Sequence, residues 1–262
     1  MRKLRFLCIV VLLFFGCEQN PLTGKWTMAL YSDAEIFSMA TEQYQEFLNE
    51  STVITGTADA AMVTRVGEKI AVAAQKWLAS EGSPDYLRNY SWEYKLVKDD
   101  QINAWCMPGG KIVVYTGILP VTQTEAGLAV VMGHEVSHAI LNHGRQRMSA
   151  GVLQQLGAGL VGAFTDSQLI MGLYGVTTNL AGMLPFSRKH ESESDKYGLI
   201  LMAIAGYNPD EAPLFWQRMK NMSGGSTPEF LSTHPSHTTR INDLQKWIPE
   251  AKEKAAEINS QK

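Results

Sequence analysis

The stretch Ala129 to Gly144, AVVMGHEVSHAILNHG, constrains this chain more than any other. Its apolar flanks, Val130, Val131, Met132, Val136, Ala139, Ile140 and Leu141, are those of a buried helix, and Gly144 reads as the helix stop. A helix turns about 100° per residue, so His134 and His138 stack on one face about one turn apart, where both imidazoles can reach a single ion. Such a pair is half of a zinc site. Glu135 projects in a neighbouring direction, close enough to take a proton from a metal-activated water without being a ligand itself.

Catalytic zinc takes three protein ligands and keeps one position for water, so the histidines need a partner from elsewhere in the chain. Glu191, Glu193 and Asp195 lie together on a later helical stretch. Glu191 and Asp195 are four residues apart and share a face, while Glu193 points away from it. One of the two can bind the metal while the other accepts the free N–H of a ligand histidine and fixes its tautomer. Spacing alone does not say which.

The remaining elements follow from period and punctuation. Asp33 reads as the cap of a helix to about Asn49, and a second helix runs from about Asp59 to Ala79 with Val63, Val66, Ile70, Ala73, Ala74, Trp77 and Leu78 on one face. Trp92 to Val97 reads as a strand, and Ile102 to Met107 and Lys111 to Tyr115 as two more around the turn Pro108-Gly109-Gly110. Everything beyond Thr116-Gly117 reads as helical. Residues 148–185 are rich in small and apolar side chains, but their glycines and Thr177, Thr178 and Asn179 favour close helix packing over a membrane span. A helix from Phe186 to Ile204, another to about Met222, a flexible SGGS loop at 223–226 and a last amphipathic helix complete the chain.

The N-terminus reads MRKLRFLCIVVLLFFGC, a basic start, an apolar run too short for a span, and Gly16-Cys17 in a pattern resembling a bacterial lipobox. The expected organisation is therefore a lipoprotein-type signal peptide at 1–16, a tether at 17–32 and one domain at 33–262, lipidated on Cys17. Residues 17–262 keep 20 basic against 26 acidic side chains, and an acidic chain without a basic tract does not look like a nucleic-acid binder. With Cys17 lipidated and Cys8 removed, Cys106 has no disulfide partner.

Three linked motifs, HEVSHAILNHG, LPFSRKHESESDKYG and LSTHPSHTTR, in this order and spacing, resemble the family 48 zinc metallopeptidases, which include HtpX, the CAAX prenyl endopeptidases, the mitochondrial OMA-type proteases and periplasmic BepA. The likeness also takes in INAWCMPGGKIVVYTGIL before the zinc helix. The resemblance implies an α+β fold, a mostly helical, gluzincin-like domain with a small β-sheet and the HExxH active-site helix. It implies one Zn2+ per chain on His134, His138 and Glu191, with Asp195 in support and Glu135 as general base. His234 of the His-Pro loop corresponds to a transition-state donor or removable fourth ligand, with Arg240 the nearby basic residue; both are candidates for the oxyanion. Ser194 replaces an alanine common before the aspartate, and neither a repeat array nor paired membrane spans are visible, so prenylated substrates are not implied. The expected function is a zinc endopeptidase acting on misfolded or unassembled cell-envelope polypeptides; the alternative is an envelope chaperone that rarely or never cleaves. The expected location is the bacterial cell envelope, lipid-anchored and facing the periplasm, on the outer membrane rather than the inner. An extended substrate could pair with an edge strand of the 102–115 region. His143, His190 and His237 read as exposed or packing histidines.

Overall fold

A computed structural model describes residues 16–152, 187–222, 228–234 and 239–261. The apolar leader, most of the 148–185 stretch, the SGGS loop and His237 lie outside the described residues. Among the described residues, no helix is long and apolar enough to cross a membrane.

Residues 17–32, expected as a tether, begin with a small antiparallel hairpin, β1 (Cys17–Gln19) against β2 (Trp26–Met28), in which Cys17 pairs with Met28. Helix α1 (Asp33–Glu50) follows. Its cap is Ser32 rather than Asp33: the Ser32 hydroxyl accepts the Glu35 N–H and the Glu35 carboxylate accepts the Ser32 N–H, a reciprocal capping box. Helix α2 (Ala58–Ser80) is capped by Thr57 and buries the stripe Val63, Val66, Ile70, Ala73, Ala74, Trp77 and Leu78 that its 3.6-residue period anticipates.

The main sheet has the order β3 (Val53–Ile54), β4 (Glu93–Val97), β6 (Lys111–Tyr115), β5 (Ala104–Met107). The expected hairpin is β5 and β6, antiparallel, while β4 joins β6 in parallel. The two-residue β3 carries no periodic signal and is set by its pairing with β4. The hairpin turn needs its glycines: Gly110 has φ +90°, and a Cβ there would sit 2.7 Å from the Trp92 ring. Strand β6 is buried on both faces. Ile112 and Val114 enter the main core with α2 and the zinc helix, and Val113 and Tyr115 join Tyr44 and Phe47 of α1 on the other side.

The chain then makes a short α3 (Leu119–Thr122) and enters α4 (Glu125–Ile140), the helix of HEVSH, capped by Thr124 and buried from Gly127 to Ile140. Its stop is not Gly144. The backbone turns at Asn142, φ +60°, a left-handed position that asparagine tolerates, and residues 143–152 resume as helix. Helix α5 (Arg188–Ile204) packs across α4, followed by α6 (Glu211–Met222), the short α7 (Glu229–Thr233) and α8 (Arg240–Ser260). Two glycines set the α4/α5 crossing. A Cβ on Gly133 would lie 2.8 Å from the Gly198 carbonyl oxygen, and a Cβ on Gly198 would lie 2.8 Å from the His134 nitrogen. Backbone meets backbone one residue from His134 and three from Asp195.

Candidate active site

Helix α4 carries His134, Glu135 and His138 into the interior, α5 brings Glu191 and Asp195 across them, and the end of α7 delivers His234; all six are buried. His134 Nε2, His138 Nε2, a Glu191 carboxylate oxygen and His234 Nδ1 converge. The separations are 3.1 Å between the two helix histidines, 3.2 Å from His134 to His234, 3.3 and 3.0 Å from His138 and His234 to Glu191 Oε1, and 3.5 Å from His134 to Glu191 Oε2. A metal bound about 2.0–2.1 Å from four tetrahedral donors sets its ligands about 3.3–3.4 Å apart, so the spacing and the donor set both fit zinc. The same four residues form a group able to hold a metal ion.

Charges agree with such a site. Burial alone would raise Glu191, but its close contacts with the His134, His138 and His234 imidazoles outweigh it and hold the carboxyl far below the ordinary range. Burial pushes His138 well below its ordinary value, which keeps the imidazole neutral as a ligand must be. For His134 burial is overcome by Asp195 and Glu191, which hold it up at about 9, so its Nε2 must give up a proton to become a ligand. Its Nδ1 lies 3.0 Å from Asp195 Oδ1, where its N–H donates to the carboxylate, so Nε2 is the nitrogen that turns to the cluster.

Glu135 stands just outside the four donors. Burial raises its pKa, and the Cys106 backbone N–H on β5 donates to its carboxylate. Its Oε1 is buried without a hydrogen-bond partner and lies 3.3 Å from His234 Nε2. His234 therefore turns one nitrogen to the cluster and the other to Glu135.

Arg240 is placed differently from a donor aimed at substrate. Its Nε donates to Asp195 Oδ2 at 2.6 Å and its Nη2 to Glu191 Oε2 at 2.8 Å, and its guanidinium lies 3.6 Å over the Trp216 ring. Helix α8 thus opens with a cation that braces both carboxylates of α5 from behind. Cys17 is exposed at the start of β1 and, among the described residues, neither it nor Cys106 is in a disulfide. Glu193 stays out of the cluster, as its helix phase requires.

Two residues that sequence reasoning set aside belong to the site's surroundings. His143 is buried, with Nδ1 3.0 Å from His138 Nδ1 and Nε2 3.3 Å from Glu193 Oε2. It follows His138 by five residues, a spacing that in a continuous helix would face it away; the turn at Asn142 brings it back. His190 packs face to face with it, ring centres 4.2 Å apart, and burial lowers its pKa to about 4.

Comparison with known proteins agrees with the geometry. The model for peptidase family M48 matches residues 58–248. The mitochondrial metalloendopeptidase OMA1 of Schizosaccharomyces pombe is 37% identical over 64% of this chain and 50% of its own length. The OMA1 metalloendopeptidase of Danio rerio is 30% identical over 97% of this chain and 55% of its own, and the beta-barrel assembly-enhancing protease of Escherichia coli is 32% identical over 59% and 34%. The chain thus spans about half the length of the mitochondrial relatives and less of the bacterial one. These relatives overturn the expected location. Proteins named as mitochondrial match at higher identity or over nearly all of the chain, and the bacterial protease covers less of it, so a lipid-anchored place in a bacterial envelope does not stand.

Proposed function

The chain belongs to peptidase family M48, and from that premise we propose that it is a zinc-dependent endopeptidase of polypeptides whose resting site is closed by its own His234. The observation that carries the reading is the convergence of His134, His138, Glu191 and His234 beside a buried glutamate. Residues 33–262 are the catalytic domain in this reading. His134, His138 and Glu191 would hold the metal, with Asp195 fixing His134. Zinc in such a site supplies Lewis acidity, polarising a peptide carbonyl and making water a nucleophile near neutral pH.

The residues of the chain do the rest. Glu135 accepts a proton from the attacking water and returns it to the leaving amine, a task suited to a carboxylate whose pKa burial has raised. Strand β5 is an edge of the main sheet, and it ends beside Glu135, so an extended peptide can pair along it and present a backbone carbonyl to the site with little sequence preference. Because Arg240 is taken up by Asp195 and Glu191, His234 is the better candidate to face the developing oxyanion once it leaves the cluster. While it stays, four protein donors would surround a bound metal and leave no position for water. A chaperone without proteolysis would have no use for Glu135.

Casein digestion by the full chain, with and without chelator, tests the reading, and His234→Ala tests the closure. Cleavage should stop with chelator and return with zinc, and His234→Ala should cleave as fast as wild type or faster. Chelator-resistant cleavage would overturn the metallopeptidase reading. A loss of about 100-fold in His234→Ala at unchanged zinc content would make His234 an oxyanion donor rather than a plug.

A further inference from the structure

We infer that His143 is a positioning residue for the metal site, the middle of a relay from His138 through Glu193 to Lys25 that fixes the tautomer of His138. The inference rests on the zinc reading above and concerns residues outside the ligand set.

The two histidines that face the cluster from α4 are held by different devices. His134 meets a carboxylate directly, Asp195. His138 meets another imidazole, Nδ1 to Nδ1 at 3.0 Å. Two ring nitrogens that close share one hydrogen, so one donates and the other accepts. His138 can offer Nε2 to a metal only with its proton on Nδ1, and His143 must then accept at Nδ1 and carry its own proton on Nε2. That is where the Glu193 carboxylate lies, 3.3 Å from His143 Nε2. Glu193 in turn accepts from Lys25, on the N-terminal hairpin. The Ser194 hydroxyl lies 3.3 Å from the same Nδ1, and the His190 ring stacks on His143 and limits its rotation. Reading the relay from either end gives the same tautomers: an anion at Glu193 favours the N–H on His143 Nε2, which leaves Nδ1 to accept from His138. Outer-shell partners of this kind change metal affinity by about 10–100-fold when removed.

The test is zinc affinity of the full chain, by competition with a chromophoric chelator, set beside the thermal midpoint of the zinc-free protein. His143→Leu removes the acceptor and should bind zinc about 10–100-fold more weakly. His143→Asn puts a carbonyl oxygen near the place of Nδ1 and should recover most of that loss. Glu193→Met leaves His143 in place, releases its tautomer and should weaken zinc in the same direction; it and His143→Asn carry the test if His143→Leu does not fold. The zinc-free midpoints of the folded variants should stay near wild type. Wild-type affinity in both His143→Leu and Glu193→Met would overturn the relay, as would His143→Asn binding as weakly as His143→Leu. A wild-type chain that takes up no zinc would overturn the metallopeptidase reading, and the relay with it.

Discussion

Replacing Arg240 would leave Glu191 and Asp195, two carboxylates of one helix face, buried together without the cation that bridges them. Removing one partner of a buried ionic group is costly because the other charge stays behind. We therefore expect Arg240→Met to destabilise the zinc-free chain by about 3–5 kcal/mol, read from urea unfolding in chelator. A change below about 1 kcal/mol would show that the carboxylates do not depend on Arg240. At this scale the sequence was legible where chemistry follows from spacing. The pair His134 and His138, and the shared face of Glu191 and Asp195, are consequences of helix phase. His234 was reachable only through family resemblance, since nothing in LSTHPSH says which way a loop histidine turns. His143 was not reachable, because its role depends on the left-handed turn at Asn142.

Helices α4 and α5 place ligands correctly only because they cross at glycine. Gly198→Ala would drive a Cβ to 2.8 Å from the His134 backbone nitrogen, and neither backbone can yield without moving the ligands. An overpacked contact of this type costs about 1–3 kcal/mol, and zinc affinity should fall with it. Gly144→Ala is the matched control. Its Cβ would meet only the Pro108 side chain at 3.8 Å, within a helical stretch, so stability should hold or rise slightly. Thermal unfolding and zinc titration of the two variants decide it; equal damage in both would mean that the crossing is not set by Gly198. Glycine is the commonest residue at a helix stop, which points to Gly144, yet Asn142 fills that position. The strands Glu93–Val97, Ala104–Met107 and Lys111–Tyr115 were legible from their apolar runs and the Pro-Gly-Gly turn. The parallel pairing of β4 with β6 was not, since no local pattern encodes a partner so distant in the chain.

Across the whole molecule, the site is assembled from segments far apart in sequence, and part of its support comes from outside the 58–248 family match. The hairpin of β1 and β2 grips the end of the zinc helix: Asn20 Nδ2 donates to the Ile140 carbonyl oxygen at 2.8 Å, Tyr197 donates to the Leu22 carbonyl oxygen, and Arg145 pairs with Glu18 and Asp33. A segment that composition marked as a tether therefore packs against the back of α4 and α5 through polar contacts that hydrophobic periodicity does not register. Catalysis here divides into two tasks: His134, His138 and Glu191 would hold zinc, and Glu135 moves the proton. Zinc content and casein cleavage measured together on Glu135→Gln separate the two tasks. Glu135→Gln should hold one zinc per chain, as wild type should, with cleavage reduced by about 100-fold or more. Cleavage near the wild-type rate, at full zinc content, would contradict it.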